Sequence, residues 1–185
     1  MRPDGPFGWE HVVVRVERAF AFVDLSGFTS FTDECGDEES VRVLTLFRGA
    51  ARKVATDFGV RIAKWLGDGA MFVAVDSRQL VCAVLEFHRL VEELDLPLEI
   101  HAGLAGGAVI LLEGDDYTGG PVNLASRLAD AAGPCEILCT PELATMVPAD
   151  AWVEYAGAMQ VPGFHQAVEV TRLGPVASPR TSSTA

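Results

Sequence analysis

Two acidic residues lie at the ends of apolar segments, where an unpaired charge is energetically costly. Asp24 lies at the end of the apolar run RAFAFVDL at residues 18–25, and Asp68 lies in a Gly-Asp-Gly turn between two further apolar runs. If adjacent strands bring the two carboxylates within a few ångströms, they repel each other unless a cation lies between them. A hard cation that prefers oxygen ligands, Mg²⁺ or Mn²⁺, is the natural partner. Taken singly, Asp24 also suits a helix cap and Asp68 a tight turn.

A second candidate pair lies on the predicted helix VNLASRLAD. Asn123 and Arg127 are four residues apart, so they share one face of this helix. The apolar residues of the segment point elsewhere: Val122, Ala125, Leu128 and Ala132. An amide beside a guanidinium can hold a ring oxygen and a phosphate, because the planar guanidinium donates several hydrogen bonds in a fixed fork. On its own the pattern also fits an ordinary solvated helix face.

The first half of the chain contains the elements that must position Asp24 and Asp68. Residues 18–25 predict a strand, followed by a helix start in SGFTS. Apolar residues at every third or fourth position predict an amphipathic helix over 38–58, which ends at Gly59. The runs VRIAKWL and AMFVAV predict a hairpin, whose turn uses the positive φ angles that Asp-Gly allows. Asp68 then occupies the hairpin tip.

The second half supplies the elements around the Asn-Arg pair. Apolar positions from Leu80 to Leu94 predict another core helix, which stops before Pro97. The stretch LEIHAGLAGGAVILL predicts a strand pair bent at its glycines, followed by a polar turn and a helix that opens near Pro121. CEILCT, AWVEY and QAVEVTRL predict further strands. This order predicts an α+β fold in which helices pack on one face of a mainly antiparallel sheet.

Length and composition limit the kinds of protein that this chain can be. Its 185 residues, 49% of them hydrophobic, predict one domain over 18–173, with an N-terminal extension at 1–17 and a disordered tail at 174–185. The net charge of −12 argues against a nucleic-acid partner. A nucleotide ligand remains compatible if metal ions supply the positive charge. Without a signal pattern or an apolar run of membrane-spanning length, we expect a cytoplasmic protein that makes no membrane contact.

Three segments together resemble the signature segments of class III adenylyl and guanylyl cyclase catalytic domains, in the same order. They are FVDLSGFT at 22–29, KWLGDG at 64–69 and GDDYTGGPVNLASRL at 114–128. The resemblance covers about residues 18–173. It implies the ferredoxin-like class III cyclase fold and an enzyme of signal transduction that closes ATP into 3′,5′-cyclic AMP with release of pyrophosphate.

The resemblance also implies roles for the acidic residues and for a base-reading pair. Asp24 and Asp68, with the backbone carbonyl of Leu25, match the positions that bind two divalent metal ions, Mg²⁺ or Mn²⁺. Lys64 and Asp116 match the pair that reads adenine in adenylyl cyclases. A lysine there donates to a ring nitrogen, and an aspartate accepts from the exocyclic amine. Guanylyl cyclases usually carry Glu and Cys or similar residues instead, so the pair favours ATP over GTP.

The same resemblance implies roles for the two residues on the late helix, and it implies an oligomer. Asn123 matches the residue that orients the ribose, and Arg127 the one that stabilises charge on the α-phosphate. In the family, the metal-binding carboxylates of one chain complete a site whose other residues come from a second chain. We therefore expect a two-fold symmetric homodimer with two identical sites, and an inactive monomer.

The chain departs from the family pattern at two phosphate-binding positions. Pro162, in the segment VPGF at 161–164, stands where many relatives have a lysine, and Leu111 and Leu112 occupy the region of an arginine. These departures predict weak ATP affinity, dependence on metal, or phosphate contacts made by arginines elsewhere in the chain. Two alternative functions stay open. One is a catalytically weak or degenerate homologue that acts as a nucleotide-binding or interaction module, and the other is a cyclase for GTP or a pyrimidine nucleotide.

Overall fold

The chain forms a central sheet with helices around it, described over residues 14–112 and 116–176 of the computed structural model. The strands in these ranges are β1 (Arg15–Leu25), β2 (Arg61–Leu66), β3 (Gly69–Ala74), β4 (Ile100–Leu112), β5 (Asp116–Thr118), β6 (Ile137–Cys139), β7 (Ala151–Met159) and β8 (Val168–Pro175). The helices are α1 (Phe28–Cys35), α2 (Asp37–Phe58), α3 (Ser77–Glu93), α4 (Gly120–Ala131) and α5 (Pro141–Ala144).

All of these strands belong to one sheet, in which β1 and β4 are central. The order across the sheet is β2-β3-β1-β4-β6-β8-β7. Strand β5 pairs with the C-terminal end of β4, residues 110–112. Among the described strands, only β4 and β6 pair in parallel, and every other pair is antiparallel. The predicted α+β fold with a mainly antiparallel sheet is therefore confirmed.

Helices α2 and α3 cover one face of the sheet. Their apolar stripes pack against residues of β1 such as Ala21 and Val23, which are 0% and 1% exposed. The helix predicted over 38–58 is confirmed as α2. The spacing of apolar residues placed Val41 on the buried face, but Val41 is 61% exposed and Val43 is fully buried instead.

Helix α4 covers the opposite face of the sheet. Its Ala125 packs in a cluster with Phe20 and Met71. These side chains point away from α2 and α3, because successive residues of a strand alternate between the two faces. The prediction that the helices share one face therefore holds for α2 and α3 but not for α4. Both faces of the middle of β1, residues 19–21, are buried as a result.

Strand β4 is one continuous strand of 13 residues, where the sequence predicted a strand pair bent at its glycines. Gly103 does not bend the strand but leaves space for the backbone of α4. An added Cβ there would lie 2.1 Å from the backbone nitrogen of Ala129 and 2.3 Å from the carbonyl oxygen of Ala125. Helix α4 approaches the sheet this closely because residue 103 has no side chain.

Strand pairing extends slightly beyond the predicted domain. β1 begins at Arg15, and β8 continues to Pro175, which pairs with Ala151 of β7. Most of the predicted N-terminal extension and disordered tail, residues 1–13 and 177–185, lies outside the described residues. Across the described ranges, none of the helices has both the length and the apolar character needed to cross a bilayer.

Candidate active site

Asp24 and Asp68 lie beside each other at one end of the sheet. Strand β1 runs antiparallel to β3 with Val23 opposite Ala70, so Asp24 lies next to Gly69. A Cβ added at Gly69 would be 2.7 Å from Oδ1 of Asp24. Asp68 directly precedes this glycine, and its charge acts on the Asp24 carboxylate. This geometry agrees with the expectation that neighbouring strands bring the two carboxylates together.

The two carboxylates create an unfavourable concentration of negative charge. Burial, followed by the neighbouring charge of Asp68, raises the pKa of Asp24 to about 6. The backbone N–H of Leu25 donates a 3.1 Å hydrogen bond to Oδ1 of Asp24 and opposes this rise. Within the described residues, no ion pair includes Asp24 or Asp68. This part of the chain therefore supplies no cationic side chain to neutralise them.

The oxygen donors of this pair fit a divalent cation that also binds a phosphorylated substrate. Among the described residues, no three His, Cys, Asp or Glu side chains converge as a complete metal centre. Mg²⁺ does not require one, because it is commonly held by one or two carboxylates together with substrate phosphates and water. Mn²⁺ favours the same oxygen ligands. Asp24 and Asp68 fit these requirements, and Leu25, the residue after Asp24, ends β1 beside them.

The turn that carries Asp68 has only two residues at its tip. Leu66 pairs with Gly69, which leaves Gly67 and Asp68 unpaired between β2 and β3. The positive φ angle, 71°, belongs to Gly67 and not to the Asp-Gly step that the sequence suggested. Glycine adopts this angle without steric cost and is typical of the first position in some two-residue hairpin turns. The short turn keeps Asp68 within one residue of β3.

Lys64 and Asp116 are brought together from β2 and β5. Nζ of Lys64 lies 2.8 Å from Oδ1 of Asp116, and the two side chains remain 48% and 43% exposed. The hydrogen bond from Lys64, followed by that from the backbone N–H of Tyr117, lowers the pKa of Asp116. The Tyr117 ring packs edge-on against Phe20 with 5.3 Å between centroids, which attaches β5 to the sheet. The ion pair is therefore formed in advance and is accessible to a ligand.

Asn123 and Arg127 are exposed residues of α4, four positions apart as predicted. Nη1 of Arg127 pairs with Oδ2 of Asp130 at 3.0 Å. No hydrogen bond or ion pair of the described residues joins Asn123 or Arg127 to Asp24 or Asp68. Within one chain, the acidic pair and the Lys64–Asp116 pair are each assembled, while the Asn-Arg pair faces solvent.

Two further residues near the acidic pair were not identified from the sequence. His101 of β4 lies directly opposite Asp24, and its Nδ1 is 3.0 Å from Oγ of Ser26. Burial lowers the pKa of His101 despite its acidic neighbours, so the ring supplies little positive charge near neutral pH. Asp130 adds negative charge at Asp24 from helix α4. Sequence spacing carries no signal for either residue, because both contacts depend on strand register and helix packing.

No protein-family model matches the chain, but individual proteins do. An uncharacterised protein of Mycobacterium tuberculosis is 38% identical over 144 residues, which are 77% of this chain and 37% of that protein. A pH-sensitive adenylate cyclase of M. tuberculosis is 33% identical over 118 residues, which are 64% of this chain and 29% of that protein. The match therefore spans only 37% and 29% of the length of these two curated relatives.

Solved structures of nucleotidyl cyclases share the fold of this chain. The adenylyl cyclase CyaB from P. aeruginosa has a TM-score of 0.78 at 26% sequence identity, covering 91% of this chain and 97% of that chain. The guanylyl cyclase Cya2 has the same fold, with a TM-score of 0.75 at 24% identity over 91% of this chain and 97% of that chain. These similarities support a cyclase without deciding between adenine and guanine. By sequence resemblance and by fold, the chain therefore belongs with the catalytic domains of class III adenylyl and guanylyl cyclases.

Proposed function

We propose that this chain is an adenylyl cyclase catalytic domain that converts ATP into 3′,5′-cyclic AMP and pyrophosphate at the interface of a homodimer. The observation that carries the proposal is the apposition of Asp24 and Asp68 at the end of β1. The similarity to solved cyclases supports the reaction class. The choice of ATP rests on Lys64 and Asp116. With ATP as substrate, we place the reaction in the cytoplasm.

The acidic pair is the proposed metal-binding part of the site. Asp24 and Asp68, with the backbone carbonyl of Leu25, would hold two divalent ions, Mg²⁺ or Mn²⁺, together with the phosphates of ATP. When bound, such ions lower the pKa of the ribose 3′ hydroxyl and stabilise charge on the entering and leaving oxygens. Asp24 lies in β1 and Asp68 in the turn between β2 and β3, so the pairing of β1 with β3 brings the two carboxylates near each other before the substrate arrives.

Lys64 and Asp116 are the proposed base-reading pair. The Lys64 ammonium donates to a ring nitrogen of adenine, and the Asp116 carboxylate accepts from the exocyclic amine. Guanine has a carbonyl oxygen at that position, which would place an acceptor against the carboxylate. Their 2.8 Å ion pair supports this role, because each side chain keeps the other in position when no base is bound.

Asn123 and Arg127 are proposed to act on the substrate held by the carboxylates of the second chain. Asn123 orients the ribose, and Arg127 donates to oxygens of the α-phosphate as their charge grows. Their exposure on α4, without contact to the acidic pair of the same chain, supports a site completed across two chains. Arg127 must leave Asp130 to reach the phosphate. That exchange costs little, because an exposed ion pair is weak in water.

The proposed reaction is an in-line displacement at the α-phosphorus. The ribose 3′ oxygen forms a bond to this phosphorus, its proton passes to solvent, and the bond to the oxygen that bridges to the β-phosphate breaks. Pyrophosphate then leaves, and no side chain is needed as a base. Because Arg127 faces charge that develops only in the transition state, its removal should lower kcat more than it raises KM.

The proposal is tested by turnover of the purified chain with Mn²⁺ or Mg²⁺ and the four nucleoside triphosphates in competition. We expect equal amounts of cyclic AMP and pyrophosphate, with ATP as the preferred substrate. Asp24→Ala should abolish the reaction. A purified dimer that forms no cyclic product from any nucleotide in the presence of Mn²⁺ would refute the proposal.

A nucleotide-binding module without turnover is the second candidate function. The turn at Pro162 favours it, because this exposed residue offers no cation where many relatives have a phosphate-binding lysine. The turn is fixed by buried Val161, whose carbonyl accepts a 3.0 Å hydrogen bond from the N–H of Phe164. If calorimetry detects ATP binding and a separate assay detects no release of pyrophosphate, the second candidate function is supported.

A further inference from the structure

Arg48 of helix α2 contacts the turn that carries Asp68. Its Nη2 donates a hydrogen bond of 3.0 Å to the carbonyl oxygen of Gly67. Its guanidinium also lies over the ring of Trp65, 5.1 Å from the ring centroid. One side chain from a neighbouring helix therefore contacts both strand β2 and the tip of the hairpin.

These contacts matter because little else restrains the hairpin tip. The tip consists of Gly67 and Asp68 alone, and a Cβ added at Gly67 would find no heavy atom within 4 Å. Within the described part of the chain, no other side-chain hydrogen bond reaches residues 67–69. Glycine leaves its own backbone free to adopt several conformations. The position of Asp68 thus depends on a contact from outside the hairpin.

We propose that Arg48 is a positioning residue for Asp68 and, through it, for the divalent cation. This inference rests on the proposed function, in which Asp68 binds metal. Arg48 holds the Gly67 carbonyl while its plane is stacked on Trp65, and this restricts the tip to the position in which Asp68 lies beside Asp24. Residues that orient a metal ligand typically affect metal affinity by about 10–100-fold.

An arginine suits this position better than a lysine. Its planar guanidinium can stack on an aromatic face while its edge donates to a carbonyl oxygen, whereas an ammonium is a compact point charge. Nε of Arg48 is buried and has no hydrogen-bond partner within the described residues. Leaving this donor unpaired is unfavourable. The contacts with Trp65 and Gly67 offset that cost.

Arg52 provides a matched control on the same helix. Its guanidinium lies over the same Trp65 ring, 5.3 Å from the centroid. Among the described residues it makes no hydrogen bond to the hairpin tip. Arg52→Leu therefore removes one positive charge and one stacking contact without removing the contact to Gly67.

The experiment compares Arg48→Leu and Arg48→Lys with Arg52→Leu in the full chain. Mn²⁺ binding is measured by electron paramagnetic resonance in the presence of a non-hydrolysable ATP analogue. We expect both Arg48 variants to weaken Mn²⁺ affinity by about tenfold and Arg52→Leu to remain within about twofold of wild type. Excess Mn²⁺ should restore most of kcat in Arg48→Lys. In the metal-free chain, amides of residues 64–70 should exchange faster only in the Arg48 variants.

The possible outcomes separate this inference from the proposed function. Unchanged Mn²⁺ affinity in the Arg48 variants, or equal weakening in Arg52→Leu, overturns the role of Arg48 and leaves the proposed function intact. Equal Mn²⁺ binding by wild type and Asp68→Asn overturns the proposed function itself. If Arg48→Leu does not fold, the Mn²⁺ affinity of Arg48→Lys is compared with that of Arg52→Leu. Arg48→Lys keeps the charge and most of the aliphatic stem.

Discussion

Asp24 is half-buried beside a second carboxylate, and this position is unfavourable when no cation is present. Its pKa is about 6 in the folded chain, compared with an ordinary value of 3.8. Because the folded state binds this proton more tightly than the unfolded state, the metal-free chain loses stability as the pH rises from about 4 to about 6. Above that range the loss is complete and constant. The carboxylate that we propose as a metal ligand therefore lowers the stability of the metal-free chain.

We predict that Asp24→Asn stabilises the metal-free chain while it abolishes cyclase activity. The gain in the free energy of unfolding should be about 1 kcal/mol at pH 8, a value reduced for solvent screening, and should vanish near pH 4. Urea unfolding at pH 4, 6 and 8 measures it. Asp33→Asn, on an exposed position of α1, should change stability little at any of these pH values. A destabilised Asp24→Asn at pH 8 would contradict the prediction.

The Lys64–Asp116 pair gives a prediction about substrate choice. Asp116→Ala removes the proposed acceptor for the adenine amine, so the proposed preference for ATP over GTP should fall by about 10–100-fold, as expected for one charge-assisted hydrogen bond. The ratio of kcat/KM for the two nucleotides measures it. Asp57→Ala is the control, because Asp57 forms a similar exposed ion pair with Lys53 on α2, at 2.6 Å. If Asp116→Ala left the ratio unchanged, Asp116 would not read the base.

Helix α4 is the element whose position depends most directly on one missing side chain. We predict that Gly103→Ala lowers the free energy of unfolding by about 1–3 kcal/mol, because the added Cβ would overlap the α4 backbone. The forced shift of α4 would also move Asn123 and Arg127, so kcat should fall by about tenfold or more. Urea unfolding and turnover of ATP measure the two effects.

Gly106→Ala is the matched control for this prediction. It lies on the same strand, but the atoms nearest its added Cβ would be Cδ2 of Leu143 at 3.6 Å, the carbonyl oxygen of Arg18 at 3.7 Å and Cβ of Ala19 at 3.8 Å, all ordinary contact distances. It should therefore remain close to wild type in turnover. Similar stability and turnover in the Gly103 and Gly106 variants would show that close approach at Gly103 does not position α4.

Most helices and strands could be predicted from the sequence, with β4 predicted as a strand pair where it is one strand, but the packing of the elements could not. Hydrophobic periodicity predicted α2, and two apolar runs around Gly-Asp-Gly predicted the β2–β3 hairpin. The places of Asp24 and Asp68 at strand ends allowed the two carboxylates to be close, but only the pairing of β1 with β3 brings them together. The face on which α4 packs did not follow, because it depends on the path of the chain across the sheet. A glycine that makes room for a helix, such as Gly103, also looks the same in sequence as one that bends a strand.

One chain contains every residue of the proposed site, but within that chain Asn123 and Arg127 make no hydrogen bond or ion pair with Asp24 or Asp68 among the described residues. If Asp24 and Arg127 act in different halves of a shared site, a mixture of Asp24→Ala and Arg127→Ala chains should recover activity. Random exchange makes about half of the dimers mixed, and each mixed dimer has one intact site of two. We therefore predict about a quarter of wild-type activity from two variants that are each inactive.

The control for this prediction mixes Asp24→Ala with Asp68→Ala. Both changes fall in the same half of the proposed site, so every mixed dimer lacks an intact acidic pair and no activity should return. Turnover of ATP after exchange of subunits measures both mixtures. Recovery in neither mixture, with mixed dimers shown to form, would mean that Asp24 and Arg127 do not work across two chains.

The tripeptide at residues 67–69 resists substitution for three unrelated physical reasons. Gly67 has a φ angle of 71°, which other residues adopt only with strain. Asp68 supplies charge, and Gly69 has no Cβ, which would otherwise lie only 2.7 Å from Oδ1 of Asp24. A change at Gly67 or Asp68 would affect the proposed site and leave the core in place, whereas a side chain at Gly69 would also clash with the Val23 carbonyl oxygen of β1, 2.8 Å from the added Cβ. Evolutionary drift at this tip is therefore a short route from an active cyclase to a folded homologue that no longer turns over its substrate.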